Sequence, residues 1–95
     1  MKFNAYYETD DQIELLETID LQTAEVKDLK RFIDKYAFRF YNHSIYLEDD
    51  ISNFAKFVSQ HLRRIETEED MEELLIVARR NDSEEFQTYL HDWFG

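Results

Sequence analysis

The residues with the plainest chemical potential are carboxylates. Glu66, Glu68, Glu69, Asp70, Glu72 and Glu73 fall close together with no basic residue among them. On a helix, side chains three and four apart lie roughly 5–6 Å from one another, so Glu69 faces Glu72 and Glu73. Like charges at that spacing cost a few tenths of a kcal/mol per pair, which a sequence shaped by stability alone avoids. Such a row approaches the spacing of phosphates along a nucleic-acid strand and engages the same Lys and Arg groups. The plainer explanation is a solvated helix face with favourable negative charge at its N-terminus. Three further clusters accompany it: Glu8, Asp10, Asp11, Glu14 and Glu17; Glu48, Asp49 and Asp50; and Asp82, Glu84 and Glu85. Each alone reads as capping chemistry, but the four together exceed what capping requires.

Other chemistries fare poorly. Asp10-Asp11 and Asp49-Asp50 lack the alternating ligands and the glycine of a calcium loop. His43, His61 and His91 show no metal-binding spacing; His61 borders an apolar stripe, His43 sits in an expected turn and His91 lies on an outer helix face. There is no cysteine, hence no thiolate site. Ser44, Ser52, Ser59 and Ser83 stand in no nucleophile motif. The only glycine is Gly95 and there is no proline, which rules out phosphate-cradling loops and dinucleotide fingerprints. We therefore expect no catalytic residues, no metal, no cofactor and no enzymatic activity.

The chain has 95 residues, the size of a single domain, 1–95, with 43% hydrophobic and 16% aromatic residues to build one core. Twenty-two acids against 11 bases give a net charge of −11. That charge repels nucleic acid and anionic membranes and favours cationic surfaces. Residues 49–95 carry 12 acids and 5 bases, and residues 1–48 carry 10 and 6, so the C-terminal part holds −7 of the total. No stretch has the length of a membrane span, and the N-terminus lacks a signal-peptide pattern. A cytoplasmic protein is expected.

The elements that must position the carboxylates follow from periodicity. Phe3, Ala5 and Tyr7 alternate with polar neighbours, predicting a strand over 2–8. Thr9-Asp10-Asp11-Gln12 matches a capping box, predicting a short helix at about 10–19, with a strand through Ile13, Leu15 and Glu17 as the competing reading. Thr23 caps a helix whose inner face is Val26, Leu29, Ile33, Tyr36 and Ala37. Residues 38–48 read as a hairpin or extended pair around Asn42-His43-Ser44, with Phe38, Phe40, Ile45 and Leu47 inward; the competing reading extends the preceding helix to Tyr41 and leaves only a loop. Asp49 or Asp50 opens a helix with the stripe Ile51, Phe54, Val58, Leu62 and Ile65. Thr67 opens the next, burying Met71, Leu74, Leu75 and Ala78 and ending on Arg79 and Arg80. Ser83 caps the last, with Phe86, Tyr89, Leu90 and Trp93 inside. The expected fold is α+β and predominantly helical: a small antiparallel sheet from about 2–8 and 38–48, several short helices, and the last three packed together. An all-α bundle is the alternative.

In type, the chain resembles the small acidic proteins that phages and mobile elements use against restriction or CRISPR enzymes, with Glu66–Glu73 and Glu8–Glu17 carrying the likeness. That resemblance implies an antirestriction, anti-CRISPR or nuclease-inhibitor DNA mimic, whose partner is the basic nucleic-acid-binding surface of a DNA- or RNA-handling protein. It implies no direct binding of nucleic acid or membrane. The expected contact residues are Glu66, Glu68, Glu69, Asp70, Glu72, Glu73, Asp10, Asp11, Glu14, Glu48, Asp49, Asp50 and Tyr46. The alternative is a non-catalytic adaptor or regulatory subunit using an aromatic patch drawn from Tyr6, Tyr41, Tyr46 and Phe57.

Overall fold

Alternation in the first residues does what alternation should. Strand β1, Lys2–Glu8, buries Phe3 and Ala5 on one face and leaves Tyr7 half-buried. The structure, a computed structural model, describes residues 1–38, 42–47 and 58–94. After β1 the chain forms β2 (Ile13–Asp20), α1 (Val26–Tyr36), β3 (His43–Leu47), α2 (Val58–Arg63), α3 (Glu68–Arg80) and α4 (Ser83–Phe94). The strands make one antiparallel sheet in the order β2-β1-β3.

This corrects the expected architecture in two ways. The all-α bundle is excluded, and the helix expected at about 10–19 is a strand that enlarges the sheet to three strands. Thr9 and Gln12 do not form a helix cap. The Thr9 N–H donates to Gln12 O at 2.8 Å, and the Gln12 N–H to Thr9 O at 3.4 Å, closing a tight turn on Asp10 and Asp11. β1 then supplies the hydrogen-bond partners that decide the conformation of β2. A register shift between Ala5 and Tyr6 leaves Leu16 as the extra residue of a bulge. The turn is made without glycine and without a left-handed residue; among the described residues the only positive φ outside glycine is Asn42, at 61°.

The hairpin expected over 38–48 is also revised. Ile45 and Leu47 are buried as expected, but β3 pairs with β1, Ile45 opposite Ala5 and Leu47 opposite Phe3. Phe38 is exposed rather than inward, Phe40 and Tyr41 lie outside the described residues, and His43 belongs to the strand rather than to a turn. Glu48, Asp49, Asp50, Ile51 and Phe54 also lie outside the described residues.

Helix α1 is N-capped by Glu25, not Thr23, and the Glu25 N–H donates to Asp28 Oδ2 at 2.9 Å. Its buried face is Leu29, Phe32, Ile33 and Tyr36; Val26, expected inside, is only half-buried, and Phe32 is buried although the stripe expected from sequence lacks it. In α3 the Asp70 N–H donates to the Thr67 hydroxyl at 3.1 Å, and Met71, Leu74, Leu75 and Ala78 are buried as expected. The cap of α4 is Asp82, whose Oδ1 accepts from the Glu85 N–H at 2.8 Å. Helix α4 packs on α2 and α3, and α1 on α3, α2 and the sheet. All seven elements contribute to one core, with the Phe3 and Phe86 rings 6.0 Å apart.

Arginines of α3 and α2 tie these helices to neighbouring main chain. Arg79 Nε donates to Leu21 O at 3.2 Å and one terminal nitrogen to Ala24 O at 2.5 Å, binding the end of α3 to the β2–α1 connection. Arg63 Nε donates to Ala37 O at the end of α1. No helix among the described residues is long and apolar enough to cross a membrane.

Candidate functional site

Apart from Glu66 and Asp82, the carboxylates of residues 66–94 sit on two packed helices, α3 and α4. This stretch contains ten acids and only two bases, Arg79 and Arg80. Both bases lie in the last turn of α3, where they oppose the negative end of the helix dipole. The first turn of α3 holds Glu68, Glu69 and Asp70. None of Glu66, Glu68, Glu69, Asp70, Glu72 or Glu73 forms an ion pair with a described residue.

These six do not share one face. The buried stripe of α3 divides them. Glu68 turns toward α1, where it borders a shallow hollow with Lys27, Lys30, Arg31 and Lys35. Asp70 and Glu73 turn toward α4 and line an open groove of about 580 Å³ with Glu85, Thr88, Tyr89 and Asp92. Glu69 and Glu72 point to solvent between the two. Glu25 and Asp34 of the α1 side also line the hollow, but among its cations; the groove on the α4 side gathers carboxylates from two helices with no lysine or arginine in its lining.

Its floor is Tyr89. Burial, then Glu73 and Asp70 nearby, push the Tyr89 hydroxyl up to about 12. An ionised phenol there would be desolvated and repelled by both carboxylates. Tyr89 also stacks on Phe86, with ring centroids 6.0 Å apart. Glu85, Asp92 and Tyr89 are not among the contact residues expected from sequence. Their spacing carries the signal: residues 85, 88, 89 and 92 follow a three-, four- and seven-residue pattern along one helix face. What sequence alone lacks is the knowledge that this face meets Asp70 and Glu73.

The N-terminal cluster is divided as well. Asp10, Asp11 and Glu14 are exposed at the β1–β2 turn and on β2, without an ion pair to a described residue. Glu17 belongs to the scaffold. It accepts from both terminal nitrogens of Arg31, at 3.3 and 2.6 Å, and from the Tyr36 hydroxyl at 3.1 Å, with Lys35 Nζ 3.8 Å away. The Arg31 hydrogen bonds hold the Glu17 carboxyl below its ordinary value, with burial opposing them in part. Glu8 accepts from the Tyr46 hydroxyl at 2.9 Å, and the Tyr46 ring meets Tyr6 edge to face at 5.5 Å. Tyr46 is thus a half-buried part of the sheet surface.

His61 is buried on α2, and His43 meets Tyr36 edge to face at 5.3 Å. No group of three His, Cys, Asp or Glu residues positioned to hold a metal exists among the described residues. The charge is polarised overall: Lys27, Lys30, Arg31 and Lys35 place four of the 11 cations on α1, opposite in sign to α3 and α4. Comparison with protein-family models, curated proteins and solved structures finds no match to this chain.

Proposed function

We propose that the protein is an acidic inhibitor that occupies the basic nucleic-acid-binding surface of a DNA- or RNA-handling protein, acting by charge mimicry in the cytoplasm of the cell where its target works. The observation that carries this reading is the α3–α4 groove, where Asp70, Glu73, Glu85 and Asp92 converge and the neighbouring Glu69 and Glu72 have no ion pair to a described residue. Repulsion within such a surface is relieved when lysines and arginines of a partner enter it and counterions are released. Tyr89 adds an apolar floor beside the carboxylates, a composition suited to a protein interface. In type, the chain resembles the small acidic antirestriction, anti-CRISPR and nuclease-inhibitor proteins of phages. Catalysis and cofactor binding form no part of the proposal.

The exposed turn acids Asp10, Asp11 and Glu14 extend the negative field but lie on a different element. The aromatic-patch alternative gains little from Tyr6 and Tyr46, whose rings pack on each other.

The test is capture of partners from a lysate of the source cell by immobilised wild-type chain and by the E69Q/D70N/E72Q/E73Q variant. The expected result is a basic nucleic-acid-binding protein, released by a moderate salt gradient, displaced by duplex DNA, and retained at least about tenfold less by the variant. Capture that neither DNA nor the four substitutions diminish refutes the mechanism.

A further inference from the structure

The two edges of the sheet are treated differently. The outer edge of β3 is covered by α2: the Ile45 N–H donates to Ser59 Oγ at 3.2 Å, and Ser59 is buried. The outer edge of β2 has no such cover among the described residues. Thr9 and Gln12 exchange hydrogen bonds, which sets the phase of the ladder. Hydrogen-bonded pairs alternate in antiparallel sheets, so Glu14 bonds toward β1 while Ile13 and Leu15 turn their N–H and C=O groups to the open side.

These same residues are the most exposed large aliphatics described. Ile13 is 61% exposed, Leu15 54% and Leu16 40%. Natural edges are usually blunted by charged side chains, lysine above all, by proline, by a bulge or by a covering element, and the charges on this edge are all acidic. Residues 9–20 contain neither lysine, arginine nor proline, and the bulge at Leu16 merely limits the flat edge to the stretch from Gln12 to Leu15. Side chains alternate about this edge. Ile13 and Leu15 lie on the outer face of the sheet, Glu14 on the other, and Asp10 and Asp11 at the near end.

We infer that the open edge of β2 is a docking site for an extended segment of a partner protein. The segment adds as a fourth strand, with apolar side chains beside Ile13 and Leu15 and lysines or arginines beside Glu14, Asp10 and Asp11. Main-chain hydrogen bonds at Ile13 and Leu15 provide the binding, and the alternating pockets select the sequence. A second copy of this chain fits poorly, because it would bring Asp10, Asp11 and Glu14 against an identical row in a protein already at −11. This surface is separate from the α3–α4 groove and does not depend on it.

The probe is a short alternating valine–lysine peptide, with a valine–glutamate peptide as control, added to the whole chain. Amide exchange at Ile13 and Leu15 should slow by about tenfold or more with the lysine peptide, an effect lost at roughly 0.5 M salt and absent with the control. The I13K/L15K variant, altered only at exposed positions, should keep its circular dichroism and lose the protection. L15P, which removes an outward N–H without touching the β1 ladder, should lose it too. E69Q/E73Q should keep it, which separates this site from the groove. No protection at Ile13 and Leu15, equal protection by both peptides, or protection that survives in I13K/L15K overturns the inference. So does protection lost in E69Q/E73Q. A dimer by sedimentation, with the same amides protected without peptide, would assign the edge to a second copy and overturn the partner assignment.

Discussion

Substituting Glu73 with glutamine should stabilise the fold while weakening partner capture. Glu73 lies one turn beyond the start of α3, past the residues that gain most from the helix dipole. Glu69 stands four residues before it and Asp70 three, both on the same helix. Its i+3 and i+4 neighbours, Ile76 and Val77, offer no cation, so no favourable pair is lost. Glutamate and glutamine have nearly equal helix propensity. The change therefore relieves two repulsive pairs of roughly 0.2–0.5 kcal/mol each, a gain of about 0.4–1 kcal/mol at low salt. In a domain of this size that is a rise of roughly 2–8 °C in Tm. Urea titration of wild type and E73Q at low salt and at about 1 M salt measures it. The gain should shrink at high salt, where screening shortens the range of repulsion. A low-salt loss of stability in E73Q, or a gain unchanged by salt, would refute the view that Glu73 is held against its neighbours.

Three further outcomes follow from the same geometry. Tyr89 should titrate near 12, and in E73Q that titration should move down; ultraviolet difference spectra read both. Ser59→Ala leaves the buried Ile45 N–H without its acceptor and should destabilise by about 1–3 kcal/mol by denaturant unfolding. Glu17→Gln should weaken the tie between β2 and α1 by roughly 0.5–1.5 kcal/mol near neutral pH. Because the Glu17 carboxyl is depressed in the folded state, its contribution is complete above the ordinary value of 4.5 and is lost as pH falls through the folded value. Wild type should therefore lose stability more steeply than E17Q below that pH.

Much of the helical half was legible because local signals and burial agree there. Thr67, the acidic first turn and the Met71–Ala78 stripe all specify α3, and the structure follows them. The β1 alternation is legible for the same reason. Caps were legible only to within a residue or two: Asp82 and Glu25 act where Ser83 and Thr23 were expected, since neighbouring oxygens compete for the same N–H groups. The stretch from Thr9 to Asp20 is different. Its residues satisfy a helix cap and a strand equally well, and Glu17 on the inner side argues against burial until Arg31, Lys35 and Tyr36 are seen to receive it. Only pairing with β1, a non-local contact, settles that choice.

The sequence by itself determined the charge, the lack of nucleophile and thiolate motifs, and the carboxylate row of α3, because these depend on composition and on spacing within one helix. Tertiary structure decided which carboxylates are neighbours. It set Glu73 and Asp70 against α4 and sent Glu68 toward the cations of α1. It also consumed Glu17 in the scaffold and left the β2 edge open. Electrostatic surfaces are sums over residues distant in the chain, so their shape exists only once the helices have packed.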